Sequence, residues 1–230
     1  MQPLFDAHSH LGGAPALSVG RRVVCGTRES DWGTVLDSAA ADPGVIPMLG
    51  LHPWFVAEAA PGWEGRLETL LRTHPAGVGE CGLDFSRKDA DRSAQTAALR
   101  IQLGLARDLE RPMALHAVRA WGPLLTLLRT EGRLPKAMVH AYSGSPETAR
   151  ELQALGLWLS ISGARLETHG PAAQASLLAV AEDRLLLESD GQADLSAVLA
   201  CVARHASEDP AVLAARTWEN GLRCFREVLA

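Results

Sequence analysis

The feature that most constrains this chain is a rhythm. Eight short apolar runs rich in Val, Leu and Ile recur along it, most of them followed by a segment of helical spacing. They lie at residues 4–8, 22–26, 45–51, 76–81, 112–117, 136–141, 157–162 and 184–189. Runs this short and apolar suit parallel strands covered on both faces. Parallel strands alternating with helices point to the α/β class and a compact TIM-type (β/α)8 barrel. The helices carry start signals. Ser30-Asp31 opens one, and Asp194 and Asp209-Pro210 open two more. Ser145-Pro146-Glu147 supplies a cap, a first-turn proline and an acid at the positive dipole end. Leu99, Leu103, Ala106 and Leu109 make an apolar stripe on 89–110. One link is short. About a dozen residues, among them Gly12, Gly13, Pro15 and Gly20, join His10 to Val23, the minimum for a parallel crossover. The first barrel helix is therefore expected to be short or missing.

No linker or low-complexity stretch divides the 230 residues, so one barrel domain over 1–230 is expected. No apolar run approaches the ~18–20 residues of a membrane span. The start, MQPLFDAHSH, lacks the basic region and apolar stretch of a signal peptide. Cys25, Cys81, Cys201 and Cys224 are scattered with no CxxC pair, which suits reduced thiols and a cytoplasmic location. The net charge of −5 argues against broad, charge-driven nucleic-acid binding. It leaves room for a nucleic-acid enzyme whose metal ions supply the local positive charge. No partner motif is visible. Trp218, Leu222, Phe225 and Leu229 have core spacing, and a monomer is expected.

The chemistry concentrates at strand ends. In Asp6-Ala7-His8-Ser9-His10 the two histidines, two apart on a strand, share a face. Such a pair suits one metal ion, or two hydrogen-bonded imidazoles. His52, Glu80, His116, His140 and Asp190 end the third, fourth, fifth, sixth and eighth strands. A barrel brings these ends to one face, where active sites sit. Five of the eight histidines and three acids would crowd costly polar groups around one cavity unless divalent ions satisfied them. His74 ends a helix before Pro75, His169 is read as a loop residue before Gly170, and His205 lies on a late helix. Cys81 follows Glu80 and should point into the helix layer as an inert thiol.

The chain resembles the TatD-like metal-dependent hydrolases, within the amidohydrolase-like barrels. The resemblance spans nearly the whole sequence and rests on DAHSHL, GLHPW, GECGLD, RPMALH, VHAYSGSPETARELQALGLWLSISG, LLLESD and WENGLRCF. It implies deoxyribonuclease activity with two divalent ions. His8, His10 and Asp190 match the ligands of one ion, His116 and His140 those of the second, and Glu80 the bridging carboxylate. His52 and Asp84 match positions that touch substrate or support the site, and Asp6 one that orients the histidines from behind. Imidazole and carboxylate donors suit Mg, Mn, Zn or Fe alike. The mechanism expected is attack of a metal-activated water on a phosphodiester, with Asp190 and Glu80 catalytic and DNA or another phosphodiester as partner.

Departures from the family pattern are local. Many members place an arginine two residues after the fifth-strand histidine, whereas Arg119 stands three after His116, from where it is expected to reach a substrate phosphate or support the site. Ser189 replaces a usual threonine, and Tyr142 a frequent phenylalanine. Trp54 and Phe55 either stack on a base or form a lid. Arg28, Arg87, Lys88 and Arg165 are phosphate contacts or ordinary surface charge. An alternative chemistry on the same site is hydrolysis of a non-nucleic-acid ester, lactone or amide, because barrels host many reactions. Glu80 stands where many amidohydrolases bridge with a carboxylated lysine, which favours the phosphodiester. A non-catalytic metal-binding scaffold is a third reading, and the complete set of six donors argues against it.

Overall fold

The computed structural model describes residues 3–12 and 18–229. Its strands are β1 (Leu4–Ser9), β2 (Val19–Cys25), β3 (Val45–Leu49), β4 (Gly77–Asp84), β5 (Met113–Val118), β6 (Ala137–Val139), β7 (Trp158–Ile161) and β8 (Leu185–Leu187). All neighbours pair in parallel, in sequence order from β1 to β8. The ends of this sheet meet. The Asp190 amide donates to the His8 carbonyl at 3.0 Å. Ser189 donates its amide and hydroxyl to the Asp6 carboxylate at 2.9 and 2.6 Å. The eight-stranded barrel expected from the apolar rhythm is thus present.

Helices α1 (Glu29–Ala41), α2 (Trp63–Thr73), α3 (Arg92–Asp108), α4 (Trp121–Thr130), α5 (Pro146–Ala154) and α6 (Ala164–Leu178) follow β2 to β7 in turn. Helices α7 (Leu195–Ala206) and α8 (Pro210–Cys224) follow β8. Asp91, Ser145, Asp194 and Asp209 cap α3, α5, α7 and α8 through side-chain oxygens, as short polar residues do at helix starts. Among the described residues no helix separates β1 from β2. Residues 13–17 of that link, including Gly13 and Pro15, lie outside the described residues.

Alternation along the strands sorts the core into two layers. Leu4, Val24, Val45, Leu49, Val78, Cys81, Met113, Leu115 and Leu187 pack outward among the helices. Phe5, Val23, Ile46, Met48, Ala114, Met138, Trp158 and Leu186 fill the interior, closed below by Phe225 and Val228. The period of two then carries polar residues above that plug: His116 over Ala114, His140 over Met138, Ser160 over Trp158, and Glu188 over Leu186. The strand tops form the site because the sequence switches there from apolar to polar on the inward face.

Several boundaries differ from the sequence reading. β2 starts at Val19 rather than 22, and β4 runs on to Asp84. β6 and β8 stop at Val139 and Leu187, so His140 and Asp190 sit just beyond them. The chain leaves the sheet through left-handed backbone at Ala141 (φ 44°) and Asp190 (φ 52°), which turns the strand ends toward the mouth. α1 opens at Glu29, one residue before Ser30-Asp31. Asp31 instead accepts from the Thr27 amide and hydroxyl at 3.0 and 2.7 Å. His169 is not in a loop but within α6, which kinks at Gly170 (φ 51°, ψ −130°) before Pro171.

Candidate active site

Glu80 lies at the centre of the barrel mouth, buried, with one carboxylate oxygen turned to each of two imidazole groups. Its Oε2 is 3.5 Å from His8 Nε2 and 3.4 Å from His10 Nε2. Its Oε1 is 2.8 Å from His116 Nδ1, 2.9 Å from His140 Nε2 and 3.5 Å from His52 Nε2. Asp190 Oδ1 completes the first side at 3.7 Å from His8 Nε2 and 3.5 Å from His10 Nε2. Every predicted donor therefore gathers around Glu80, on one side of its carboxylate or the other. His52 stands closer than the sequence suggested, with its Nε2 among the donors. Three groupings, His8–Glu80–His140, His8–His10–Asp190 and His52–Glu80–His116, could each hold a metal ion.

The local sequence explains the convergence. In GECGLD, Gly79 (φ 156°) and Gly82 (φ 149°) lie directly against β5. A β-carbon at Gly82 would stand 2.0 Å from the His116 carbonyl oxygen, and one at Gly79 would stand 2.8 Å from the Ala114 β-carbon. Both glycines thus permit the close approach that sets Glu80 beside His116. In GLHPW, the His52 Nδ1 accepts the Trp54 amide at 3.1 Å and starts a short 3-10 helix, Pro53–Glu58. That bond turns His52 Nε2 toward Glu80.

Supporting contacts orient the rings from outside. His10 Nδ1 donates to the Cys25 carbonyl at 3.2 Å, leaving Nε2 to face the cluster. His116 Nε2 bonds to Asp84 Oδ2 at 3.1 Å. Asp84 also accepts the Trp54 indole N–H at 2.8 Å and the Ser86 amide at 2.8 Å. Asp6 is turned to the amide and hydroxyl of Ser189 and, at 3.4 Å, to the His8 amide, so its hydrogen bonds go to these groups rather than to an imidazole ring. Arg119 is exposed, in left-handed backbone (φ 52°), and does not line the cavity. The Arg165 side chain lies outside the described residues.

The sequence reading missed Glu188. It is fully buried, and its Oε1 lies 3.6 Å from His140 Nδ1. Its other oxygen accepts the Ser160 hydroxyl. The signal was present: Glu188 shares a strand face with Leu186 and Asp190. Thr27, Asp31 and Gln192 also went unnoticed as lining residues of the mouth, a cavity of about 460 Å³.

The electrostatics follow from this geometry. Burial opposes the charge on Glu80, yet the imidazoles of His140, His8 and His116 hold its carboxyl well below the ordinary range. Burial likewise opposes a charged His140, but Glu80 and Glu188 raise it well above the usual histidine value. His116, bonded to Asp84 and Glu80, and His10, bonded to Asp190, are also raised. His8 and His52 are lowered, chiefly by burial. The donor set fits divalent metal. Hard carboxylates and imidazoles converge, among the described residues, without a lysine or arginine between them, and Cys25, beside His8, is held as a neutral thiol by burial.

Comparison with known proteins adds the family. A family model described as TatD related DNase matches residues 5–226. The 3'-5' ssDNA/RNA exonuclease TatD of Cronobacter sakazakii is 32% identical over 241 residues, covering 96% of this chain and 92% of that protein. Among solved structures, a TatD homolog from Escherichia coli K12 aligns with a TM-score of 0.88 at 25% identity, covering 97% of this chain and 98% of the other. A TatD family hydrolase from Entamoeba histolytica shares the fold, with a TM-score of 0.84 at 13% identity over 97% of this chain and 98% of that one.

Proposed function

The chain belongs to the TatD-related DNase family, and from that premise we propose a divalent-metal-dependent phosphodiesterase that cleaves single-stranded DNA. One observation carries the reading: the two oxygens of Glu80 face two separate sets of donors. His8, His10 and Asp190 would hold one ion, His116 and His140 a second, and Glu80 would lie between them. Mg, Mn, Zn and Fe all suit these donors. Metal ions held by these residues would supply a polarised water and stabilisation of charge on a phosphoryl oxygen.

The protein's own groups have distinct tasks. Asp190 is the partly exposed carboxylate, at 30% side-chain exposure, and the neighbouring His10 and His8 outweigh burial to keep it ionised. It is placed to accept the proton of the attacking water. Glu80, sealed beneath, keeps its charge and the spacing of the two sides. Asp84 and the Cys25 carbonyl fix His116 and His10 from behind. Among the described residues no helix is long and apolar enough to cross a membrane. Four free, buried cysteines support a reducing compartment such as the cytoplasm. We read 1–230 as one hydrolase barrel.

Purified protein supplied with Mn, Mg or Zn should be offered single-stranded DNA and RNA beside a panel of carboxylic esters, lactones and amides. The reading expects phosphodiester cleavage to dominate. Turnover confined to the ester, lactone or amide panel would assign the site to that other chemistry.

A further inference from the structure

Trp54 stands at the rim of the site with 48% of its surface exposed, and it is the only aromatic residue among the large exposed apolar ones described. Its position at the cavity mouth, rather than its exposure alone, makes the open indole surface available to a flat ligand. It is also rigid. Its indole N–H is bonded to Asp84 Oδ2 at 2.8 Å, and its amide to His52 Nδ1 at 3.1 Å. A residue held at its backbone amide and at its indole N–H loses little freedom when a ligand lands on the ring. Phe55, the other aromatic side chain at the mouth, is already occupied by the Arg28 guanidinium, 3.7 Å above its ring.

The Trp54 side chain divides two hollows. On one side is the cavity over Glu80. On the other is a hollow of about 310 Å³, lined in part by Glu58, Arg87, Asp89 and Asp91. The Arg87 guanidinium is paired with Asp89 at 3.5 Å, so the three carboxylates leave the hollow net negative, which disfavours a phosphate while offering acceptors to amino and imino groups. The hollow is therefore suited to a flat, uncharged heterocycle rather than to the charged backbone of a nucleic acid.

We propose that Trp54 is the platform on which an unpaired nucleobase stacks while the adjoining phosphodiester lies over Glu80. The inference rests on the phosphodiesterase reading and adds how the substrate is held. Stacking needs a π-face and no particular base, so it selects single strands over duplex and tolerates any sequence. Through Asp84 the platform is tied to His116, so a stacked base bears on the group that positions a cluster histidine.

The test uses the full chain with its activating metal, a short single-stranded oligothymidylate, and the same oligomer with abasic sites in place of its terminal bases. Wild type should cleave the base-bearing oligomer with kcat/KM roughly 5- to 100-fold above the abasic one. Trp54→Leu should lose most of that ratio, and Trp54→Phe, which keeps a ring, should retain much of it. Thermal unfolding of each variant confirms the fold. Equal cleavage of both oligomers by wild type, or a ratio unchanged in Trp54→Leu, overturns the platform and leaves the phosphodiesterase standing. Cleavage of neither oligomer with any ion defeats both.

Discussion

The carboxylate of Glu188 and the Nδ1 of His140 face one another at 3.6 Å inside the barrel, and among the described residues neither facing atom has a hydrogen-bond partner. Two buried polar atoms left so close satisfy each other with a small movement, since an unmade buried bond is costly. The contact holds a proton on Nδ1, so Nε2 is the nitrogen that meets Glu80 and would meet a metal ion. Glu188→Leu should therefore weaken metal binding about 10- to 100-fold with the fold retained. Titration against a competing chelator, with circular dichroism as control, reads this. Unchanged affinity would reduce Glu188 to packing.

The Asp6 carboxylate closes the seam between β1 and β8. Asp6→Ala strips partners from the Ser189 amide and hydroxyl and from the His8 amide. The expected cost is about 1–3 kcal/mol. In a chain of this size each kcal/mol lowers Tm by roughly 2–4 °C. Differential scanning calorimetry checks it, and a Tm equal to wild type would show that the seam holds without this carboxylate.

The pH dependence of the metal-free protein has a definite sign. His140, His116 and His10 are raised in the folded state. Their stabilisation is full below the ordinary histidine value of about 6.5 and is lost as pH rises through their folded values. Glu80 and Asp84 are lowered, so theirs is present above the ordinary carboxylate range and lost as pH falls through their folded values. Metal-free protein should thus lose Tm as pH rises above about 6.5. Metal affinity should rise over that interval, because protons and ions compete for the same imidazoles. Melting curves with chelator and with metal, taken across this range, separate the two trends. A metal-free Tm that climbs with pH would contradict the charge pattern described.

Much of this was legible in the sequence for a physical reason. Parallel strands buried on both faces must be continuously apolar, so the eight runs stand out, and polar residues ending them have few reasons to be there. His8, His10, Glu80, His116, His140 and Asp190 were visible on that ground. Glu188 was not, because it lies inside the 184–189 run and Asp190 stood out as the acid that ends it. Only the parity it shares with Leu186 and Asp190 marked it as inward. The end of β6 was read too long because the left-handed turn at Ala141 carries no glycine to announce it, whereas at β8 the left-handed pair Asp190-Gly191 (φ 52° and 67°) stands three residues beyond the strand end. The bond from Trp54 to Asp84 joins residues 30 apart and leaves no local pattern.

The most direct test of the central claim is cleavage of single-stranded DNA by metal-stripped protein, before and after adding Mg, Mn or Zn, with Glu80→Ala beside it. The account predicts no cleavage without metal, recovery on adding an ion, and a loss of at least about 100-fold in the folded Glu80→Ala variant. Cleavage that persists without metal, or a folded Glu80→Ala variant with near-normal rate, would contradict it.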